Sequence, residues 1–456
     1  MLWAVMLNGV EVEIGELGAV GVAVYGPWFS WFNHSCVPNA CYRFDLSPHH
    51  EELQHEGSGS FKVFPASSGN QGSHVWKRWN FVDSSIVPGL CWFGPRIIIR
   101  SIKPLNKSEE VCITYMDLLQ PKVMRHLDLW SRYHFICHCK RCCISPQMYI
   151  DFILNCDTRS LNCANSNFTE SEAFVAADFL EETIDEYMLD GNSENCCRKM
   201  EKMLFDNLNC NPNQSIEQVL EPRFSLHPIH YLSLKAYIVL FSAYRVQAVD
   251  FNSTDLSKDE VSNRFKMARG AAAYSLLAAG ANHHLFMSEC SIISNTALFW
   301  INAGESILYL ARNTSSLHQL GGSRNNGALL DSKFALAYEC RSHEDLLLVS
   351  SQFLKDVSSV VKTWWRYLVE GFSYLELIEN PVDFTWFGVS SSHLSYALDR
   401  DETRGKFAEG KGILENYPLY QFAVYCLTYG GFLANICYGS ECHLYRKVGD
   451  LLDGIL

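Results

Sequence analysis

Three cysteines of the segment HFICHCKRCC have the spacing of metal ligands. Cys137, Cys139 and Cys142 form the pattern C-x-C-x2-C on one tight turn. Clustered thiolates of this kind favour a tetrahedral zinc ion, which takes four nitrogen or sulfur ligands. The chain offers three candidates for the fourth ligand: the adjacent Cys143, the intervening His138 and the distant Cys36.

Chain geometry favours the distant cysteine. Cys143 directly follows Cys142 and would have difficulty turning back into the same tetrahedron, while His138 lies between two ligands and should point away. Cys36 would let one metal ion clamp two remote segments together. We therefore predict a closed site of Cys36, Cys137, Cys139 and Cys142, in which the absence of an open position disfavours metal-dependent hydrolysis. The alternative is that these cysteines share a turn by chance.

The segment WFNHSCVPNACYRF, residues 31–44, places polar side chains around Cys36 inside an aromatic stretch. Asn33, His34 and Asn39 lie between aromatic pairs on either side. Polar groups in a buried chain need hydrogen-bond partners. The pattern predicts that another group receives these side chains.

The composition indicates a globular chain with protein partners. The 456 residues, 48% hydrophobic and 19% charged, suit two or three domains. A formal net charge of -13 argues against nucleic-acid binding and favours a basic partner such as a histone tail. The 18 cysteines are scattered, and the first residues lack the basic region of a signal peptide. We expect a reducing compartment, the nucleus or the cytoplasm.

One uncharged stretch, residues 416–440, could be mistaken for a membrane span. Pro418, Gln421 and the pair Gly430-Gly431 interrupt it, and its density of large aliphatic residues is low for a span. The stretch predicts a buried helical pair, and no membrane contact is expected.

The chain divides into a strand-rich part and a helical part, so the predicted fold class is α+β. Residues 1–145 carry short strand patterns, a Ser-, Gly- and His-rich insertion at about 45–94, and a Pro-initiated amphipathic helix before the cysteines. Met124, Leu127 and Trp130 recur at helical spacing in that helix. Residues 146–456 read as helical pairs stacked like tetratricopeptide units, without a strict period.

The order of these motifs resembles a known family. NHSCVPNACYRF, then VCITY, then FICHCKRC resembles the second half of a SET domain with its post-SET cysteine turn, as found in SET-and-MYND protein lysine methyltransferases and plant SET-domain-group proteins. The resemblance covers approximately residues 12–143 without the insertion. It implies a partial SET-type β-fold with a post-SET zinc turn, followed by a large all-α, tetratricopeptide-like C-terminal domain.

The resemblance also implies a chemistry: transfer of a methyl group from S-adenosyl-methionine to a lysine of a histone or another protein. Asn33 and His34 would contact the cofactor, and Phe135 would stack on its adenine. Tyr115 would contact the cofactor beside the transferring methyl group, and Tyr133 would line the lysine channel. The zinc on Cys36 and the three later cysteines would hold the loop of Phe135 in place. Cofactor and metal would thus receive the polar groups of residues 33–36.

Two parts of the family pattern are missing from the sequence. These are the opening strands with a Gly-x-Gly that approaches the cofactor, and the zinc-binding MYND finger; the sequence begins only some thirty residues before Asn33. Two functions are therefore expected from the resemblance: an active lysine methyltransferase, or a catalytically inactive SET-derived helical scaffold for protein interactions. Cofactor binding that depends on Asn33 and methyl transfer that depends on Tyr115 would distinguish them.

Overall fold

A computed structural model gives the fold of this chain over most of its length. It describes residues 9–13, 19–24, 29–45, 96–155, 170–208, 226–249, 257–317, 343–387 and 419–453. The predicted insertion at about 45–94 lies, except for its first residue, outside the described residues.

The strands of the described part form three two-stranded sheets. In chain order they are β1 (Gly9–Glu13), β2 (Ala19–Val24), β3 (Asn33–His34), β4 (Ala40–Asp45), β5 (Arg96–Ser101) and β6 (Cys112–Ile113). Strands β1 and β2 pair antiparallel, as do β4 and β5, with Tyr42 opposite Ile99. Strands β3 and β6 run parallel, which brings the Asn-His motif beside the strand that leads to Tyr115.

Helices make up most of the described chain. They are α1 (Lys122–Tyr133), α2 (Lys140–Cys143), α3 (Tyr149–Leu154), α4 (Glu170–Asp190), α5 (Ser193–Leu208), α6 (Tyr231–Val249), α7 (Lys258–Ser288), α8 (Ile293–Leu317), α9 (His343–Val369), α10 (Leu419–Tyr438) and α11 (His443–Asp453). A mostly helical chain with a few short strands is compatible with the predicted α+β class and with a large helical domain.

Helix α1 begins directly after Pro121, where the ring fixes φ and no backbone N–H is lost from the helix. Its buried residues are Arg125 and Leu129. The apolar residues at helical spacing lie on the other side: Leu127 is 65% exposed and Trp130 is 55% exposed. The buried face of α1 therefore carries an arginine, and part of the helix's apolar pattern faces solvent.

The long helices of the C-terminal half pack around one core. Leu232, Ala236, Leu240 and Ala243 of α6 are all buried in this core. Among the residues that the structure describes, no helix combines the length and apolar character needed to cross a membrane. Within its described residues the uncharged stretch forms one helix, α10, and the predicted helical pair is wrong; α10 packs on α8, α9 and α11.

Glycines let the backbones of α8 and α10 approach closely. A Cβ on Gly304 would lie 2.7 Å from Leu427 Cγ and 2.8 Å from the Leu427 amide nitrogen. A Cβ on Gly430 would lie 2.7 Å from Ile301 Cγ1. The contact is reciprocal, because each helix supplies one glycine opposite a large aliphatic residue of the other.

Strand β4 is attached to the C-terminal end of α10. The Cys41 thiol donates to the Cys437 carbonyl at 2.9 Å, and Arg43 Nε donates to the Tyr438 carbonyl at 2.8 Å. The strand that follows the Asn-His motif therefore rests directly on the helical part of the molecule.

Candidate active site and metal centre

Asn39 holds the Asn-His motif against strand β6. Its Oδ1 accepts from the Cys112 amide at 2.8 Å, and its Nδ2 donates to the Glu110 carbonyl at 2.8 Å. Its own carbonyl accepts from the Ile102 amide at 2.8 Å. Asn39 is 8% exposed, so its amide satisfies backbone groups that water does not reach. The side chain and main chain of this one residue thus join the ends of β4, β5 and β6.

The structure brings together the four cysteines that the sequence singled out. The Sγ atoms of Cys36, Cys137, Cys139 and Cys142 all lie within 4.8 Å of one another. The cluster joins the segment before β4 to helix α2 and the turn before it. The rejected candidate, Cys143, is exposed, and its Sγ lies 3.3 Å from the His138 carbonyl oxygen.

This arrangement fits a tetrahedral metal ion. Zinc–sulfur bonds of about 2.3 Å in a tetrahedron require sulfur–sulfur separations of about 3.8 Å. The Cys36 and Cys142 sulfurs are 3.6 Å apart, and the remaining separations stay below 4.8 Å. Hydrogen bonds from the Cys139 and Cys142 thiols lower the pKa of Cys137, while hydrogen bonds to Cys137 raise the pKa of Cys36 and of Cys142. The four side chains could therefore hold a zinc ion without rearrangement of the chain.

Arg125 is the nearest positive charge behind the sulfur cluster. Its Nε donates to Cys36 Sγ at 3.3 Å, and its Nη2 lies 4.0 Å from Cys142 Sγ. The side chain is 0% exposed. Because four thiolates around a divalent ion leave a net charge of about −2, a buried guanidinium at this distance offsets charge that solvent cannot screen.

Asp151 on α3 holds this arginine and a second one. Its carboxylate is 0% exposed and accepts from Arg125 at 2.6 and 3.1 Å and from Arg141 at 2.7 and 3.0 Å. Burial raises the pKa of Asp151, but the hydrogen bonds from the two guanidinium groups outweigh burial and leave the pKa below its ordinary value. Charged groups survive in this interior because each has its partners.

His34 is enclosed by protein groups. Its Nδ1 accepts from the Tyr115 amide at 3.0 Å, and its Nε2 lies 3.3 Å from Cys36 Sγ. The side chain is 9% exposed. Both ring nitrogens thus have partners within the chain, so a ligand at this position would meet the ring face or the main chain of His34.

The aromatic side chains named from the sequence gather beside His34. The Tyr115 and Tyr133 ring centroids are 4.9 Å apart, and Phe135 lies 6.5 Å from Tyr115 and 6.4 Å from Tyr133. The Tyr115 hydroxyl donates to the Phe32 carbonyl at 2.5 Å. Burial, followed by the neighbouring Tyr133, raises the pKa of Tyr115 to about 12. The hydroxyl is therefore protonated and oriented at neutral pH.

Asn33 is placed differently from the rest of this cluster. Its side chain is exposed, and its Nδ2 donates to Glu110 Oε1 at 2.6 Å. The backbone of Asn33 lies opposite Cys112 in the parallel pair of strands. Asn33 therefore borders the aromatic cluster from the solvent side.

Sequence reasoning did not assign the residues that support this site. Arg125, Arg141 and Asp151 received no role, although all three are buried, and the partners of Asn39 were not named. The hexamer YIDFIL contained a signal, since an aspartate alone among apolar helix residues must find a cation or a donor. Nothing in the local sequence shows that its partners lie 26 and 10 positions away.

Comparison with known proteins places the chain in a family. No family model matches it. It is 32% identical over 452 residues to Protein SET DOMAIN GROUP 41 of Arabidopsis thaliana, a match that covers 97% of this chain and 73% of the plant protein. The chain belongs to the SET-domain family. This confirms the family predicted from the motifs.

A second, shorter similarity connects this SET-domain protein to named enzymes. The chain is 24% identical over 138 residues to histone-lysine N-methyltransferase SMYD3 of Mus musculus, covering 30% of this chain and 21% of the mouse protein. The human SMYD3 protein gives the same identity over the same length. These matches suggest a methyltransferase family.

Proposed function

We propose that this SET-domain protein is an S-adenosyl-methionine-dependent protein lysine N-methyltransferase with a structural zinc site. The observation that carries this proposal is the convergence of two remote segments: residues 33–36 meet Tyr115, Tyr133 and Phe135 on one side and three cysteines on the other. The substrate is a lysine side chain of a protein, and a histone is the first candidate because the chain carries a net charge of -13.

Cofactor binding falls to the segment around Asn33 and to Phe135. The ring nitrogens of His34 are used by the Tyr115 amide and by Cys36, so His34 contributes its ring face and main chain. The Phe135 ring lies 6.1 Å from the His34 ring, centroid to centroid, and offers an aromatic surface on which an adenine could stack. When bound, S-adenosyl-methionine supplies an electrophilic methyl group on a sulfonium.

Tyr115 orients the lysine amine. Because its hydroxyl proton is donated to the Phe32 carbonyl, the phenol oxygen keeps lone pairs that can accept an amine N–H. A pKa of about 12 keeps this phenol neutral, so it acts as a positioning acceptor and leaves deprotonation of the ammonium to solvent. Tyr133, at 4.9 Å, adds an apolar wall that disfavours the charged ammonium before reaction. Alignment of the neutral amine with the methyl carbon then provides the rate enhancement.

The zinc site would hold Phe135 in place beside Tyr115 and Tyr133. Phe135 and Cys137 are two positions apart, so a metal on Cys137 also fixes the chain that carries Phe135. The metal has no open position in a four-thiolate site and takes no part in the transfer.

Cofactor binding and transfer are tested separately. Calorimetry with S-adenosyl-methionine, on this chain and on a version extended at its N-terminus by SET-domain strands with a Gly-x-Gly, should show saturable binding that Asn33→Ala weakens. Transfer of a radiolabelled methyl group to core histones should fall at least 100-fold in Tyr115→Phe with little change in cofactor binding. Absence of both binding and transfer in both versions would contradict the enzyme and leave the helical scaffold.

Zinc binding has its own test with a matched pair of variants. Metal analysis of the purified protein should give one zinc per chain for the wild type and for Cys143→Ser, whose thiol is exposed outside the cluster. Cys139→Ser should lose the ion. A wild-type protein without tightly bound zinc would refute the metal site.

A further inference from the structure

A cavity within the helical part of the chain has the features of a binding site. It has a volume of about 420 Å³, in the range of about 300 to 1,000 Å³ that small-molecule sites occupy. Helix α5 contributes one wall, α6 and α7 contribute others, and Tyr374 closes one side. The cavity shares no residue with the cluster around Tyr115.

Glu201 is the charged group of this cavity, and half of its carboxylate is left for a ligand. The hydroxyls of Tyr244 and Tyr274 both donate to Oε1, each at 2.9 Å. Within the described ranges, Oε2 accepts no hydrogen bond and Glu201 forms no ion pair. Burial raises the pKa of Glu201, while the hydroxyls of Tyr274 and Tyr244, and then the more distant positive charge of Lys266, act in the opposite direction. A carboxylate in this position gains most from a ligand that brings a positive charge.

The remaining lining suits an alkylammonium group. Tyr244 and Tyr374 are almost fully buried and present aromatic surface, to which Phe205 and Met267 add apolar area. An ammonium on a methylene stem matches such a lining, because the charge meets the carboxylate and ring faces while the stem packs on apolar atoms.

The rim of the cavity restricts which amines can enter. Arg198 and Lys202 lie on the exposed side of α5, together with Glu194. Two cations at the entrance repel a dense run of basic residues, while a single ammonium passes with a smaller penalty. The rim therefore selects an isolated cationic side chain.

We propose that this cavity binds a single alkylammonium group. Glu201 is its charge partner, and Tyr244 and Tyr374 are the aromatic walls. The ammonium comes from a lysine side chain of a partner polypeptide or from a small free amine. The site is independent of methyl transfer. It would give the helical part of the protein a recognition role of its own.

The test measures binding of Nα-acetyl-lysinamide by saturation-transfer NMR, with Nα-acetyl-norleucinamide as the uncharged analogue of similar shape. The wild type should transfer saturation to the lysine methylene protons, and Glu201→Gln should weaken binding at least ten-fold. Glu181→Gln removes the same charge from the surface of α4, outside the cavity, and should change binding less than three-fold. Equal binding by the wild type and Glu201→Gln, or equal binding of the two ligands, would overturn the site.

Further measurements test whether the variants fold and which amine binds. The urea midpoint of Glu201→Gln should lie close to that of the wild type, because the side-chain oxygen of glutamine can still accept from the Tyr244 and Tyr274 hydroxyls. If Glu201→Gln does not fold, Glu201→Asp, which keeps the charge but withdraws it by one methylene, should weaken binding at least three-fold, and unchanged binding would overturn the site. Competition between n-pentylamine and a pentapeptide with one central lysine identifies the source of the amine. Displacement by either supports the site, and displacement by neither refutes it.

Discussion

Replacement of Asp151 by asparagine is the sharpest test of the charge network behind the cysteine cluster. The substitution keeps the volume of the side chain and removes its negative charge. It also turns an amide N–H group toward the guanidinium groups of Arg125 and Arg141, which can only donate. Both arginines would remain buried without the carboxylate that now pairs with each of them.

The expected loss follows from the contacts. Removing one partner of a buried ion pair costs about 3 to 5 kcal/mol, mainly because a buried charge is left without compensation. Asp151 serves two arginines through four hydrogen bonds of 2.6 to 3.1 Å, so this range is a lower bound for Asp151→Asn. Since folded domains are stable by only about 5 to 15 kcal/mol, the variant should lie near the limit of folding.

Urea unfolding followed by tryptophan fluorescence, at one fixed excess of zinc for all proteins, measures this loss. Glu181→Gln is the control, because Glu181 and its partner Lys235 are 58% and 40% exposed and such surface pairs contribute below about 1 kcal/mol. A free energy of unfolding for Asp151→Asn within 1 kcal/mol of the wild type would show that the buried network does not stabilise the fold in the way described.

Three other outcomes are expected. Gly304→Ala should destabilise the chain by about 1 to 3 kcal/mol, because the new Cβ would lie 2.7 Å from Leu427. Gly449→Ala is the control and should stabilise the chain by about 0.5 to 1 kcal/mol, because no atom lies within 4 Å of its new Cβ. Equal urea midpoints for the two variants would contradict the close contact between the helices. Burial lowers the pKa of His230 and of His283 from 6.5 to about 3. The stabilisation from their neutral rings is therefore complete above pH 6.5 and is lost as pH falls toward 3, by up to about 1.4 kcal/mol per pH unit for each ring. Urea midpoints that do not fall between pH 7 and pH 5 would refute this. Arg125→Met should speed zinc release to a chromogenic chelator by about 10- to 100-fold, and an unchanged release rate would show that its N–H to Cys36 is not needed to retain the metal.

The cysteine spacing predicted that Cys36, Cys137, Cys139 and Cys142 would meet, because ligands of one metal ion require a short, regular spacing on a turn. The helix before the cysteines was also predictable, since Pro121 marks its start. The orientation of this helix could not be predicted, because an arginine is usually a surface residue and Arg125 is buried by its ion pair with Asp151. The partners of Asn39 depend on strand pairings across some seventy positions, which alternation within one strand cannot specify.

The attachment of strand β4 to helix α10 has a consequence for synthesis. The bond from Cys41 spans 396 positions, and that from Arg43 spans 395. During translation, β4 leaves the ribosome long before the segment on which it rests exists. Contacts of such high sequence separation form slowly and leave edges exposed to aggregation in the meantime. Nascent chains stalled before residue 419 should therefore depend on chaperones that the released protein no longer needs.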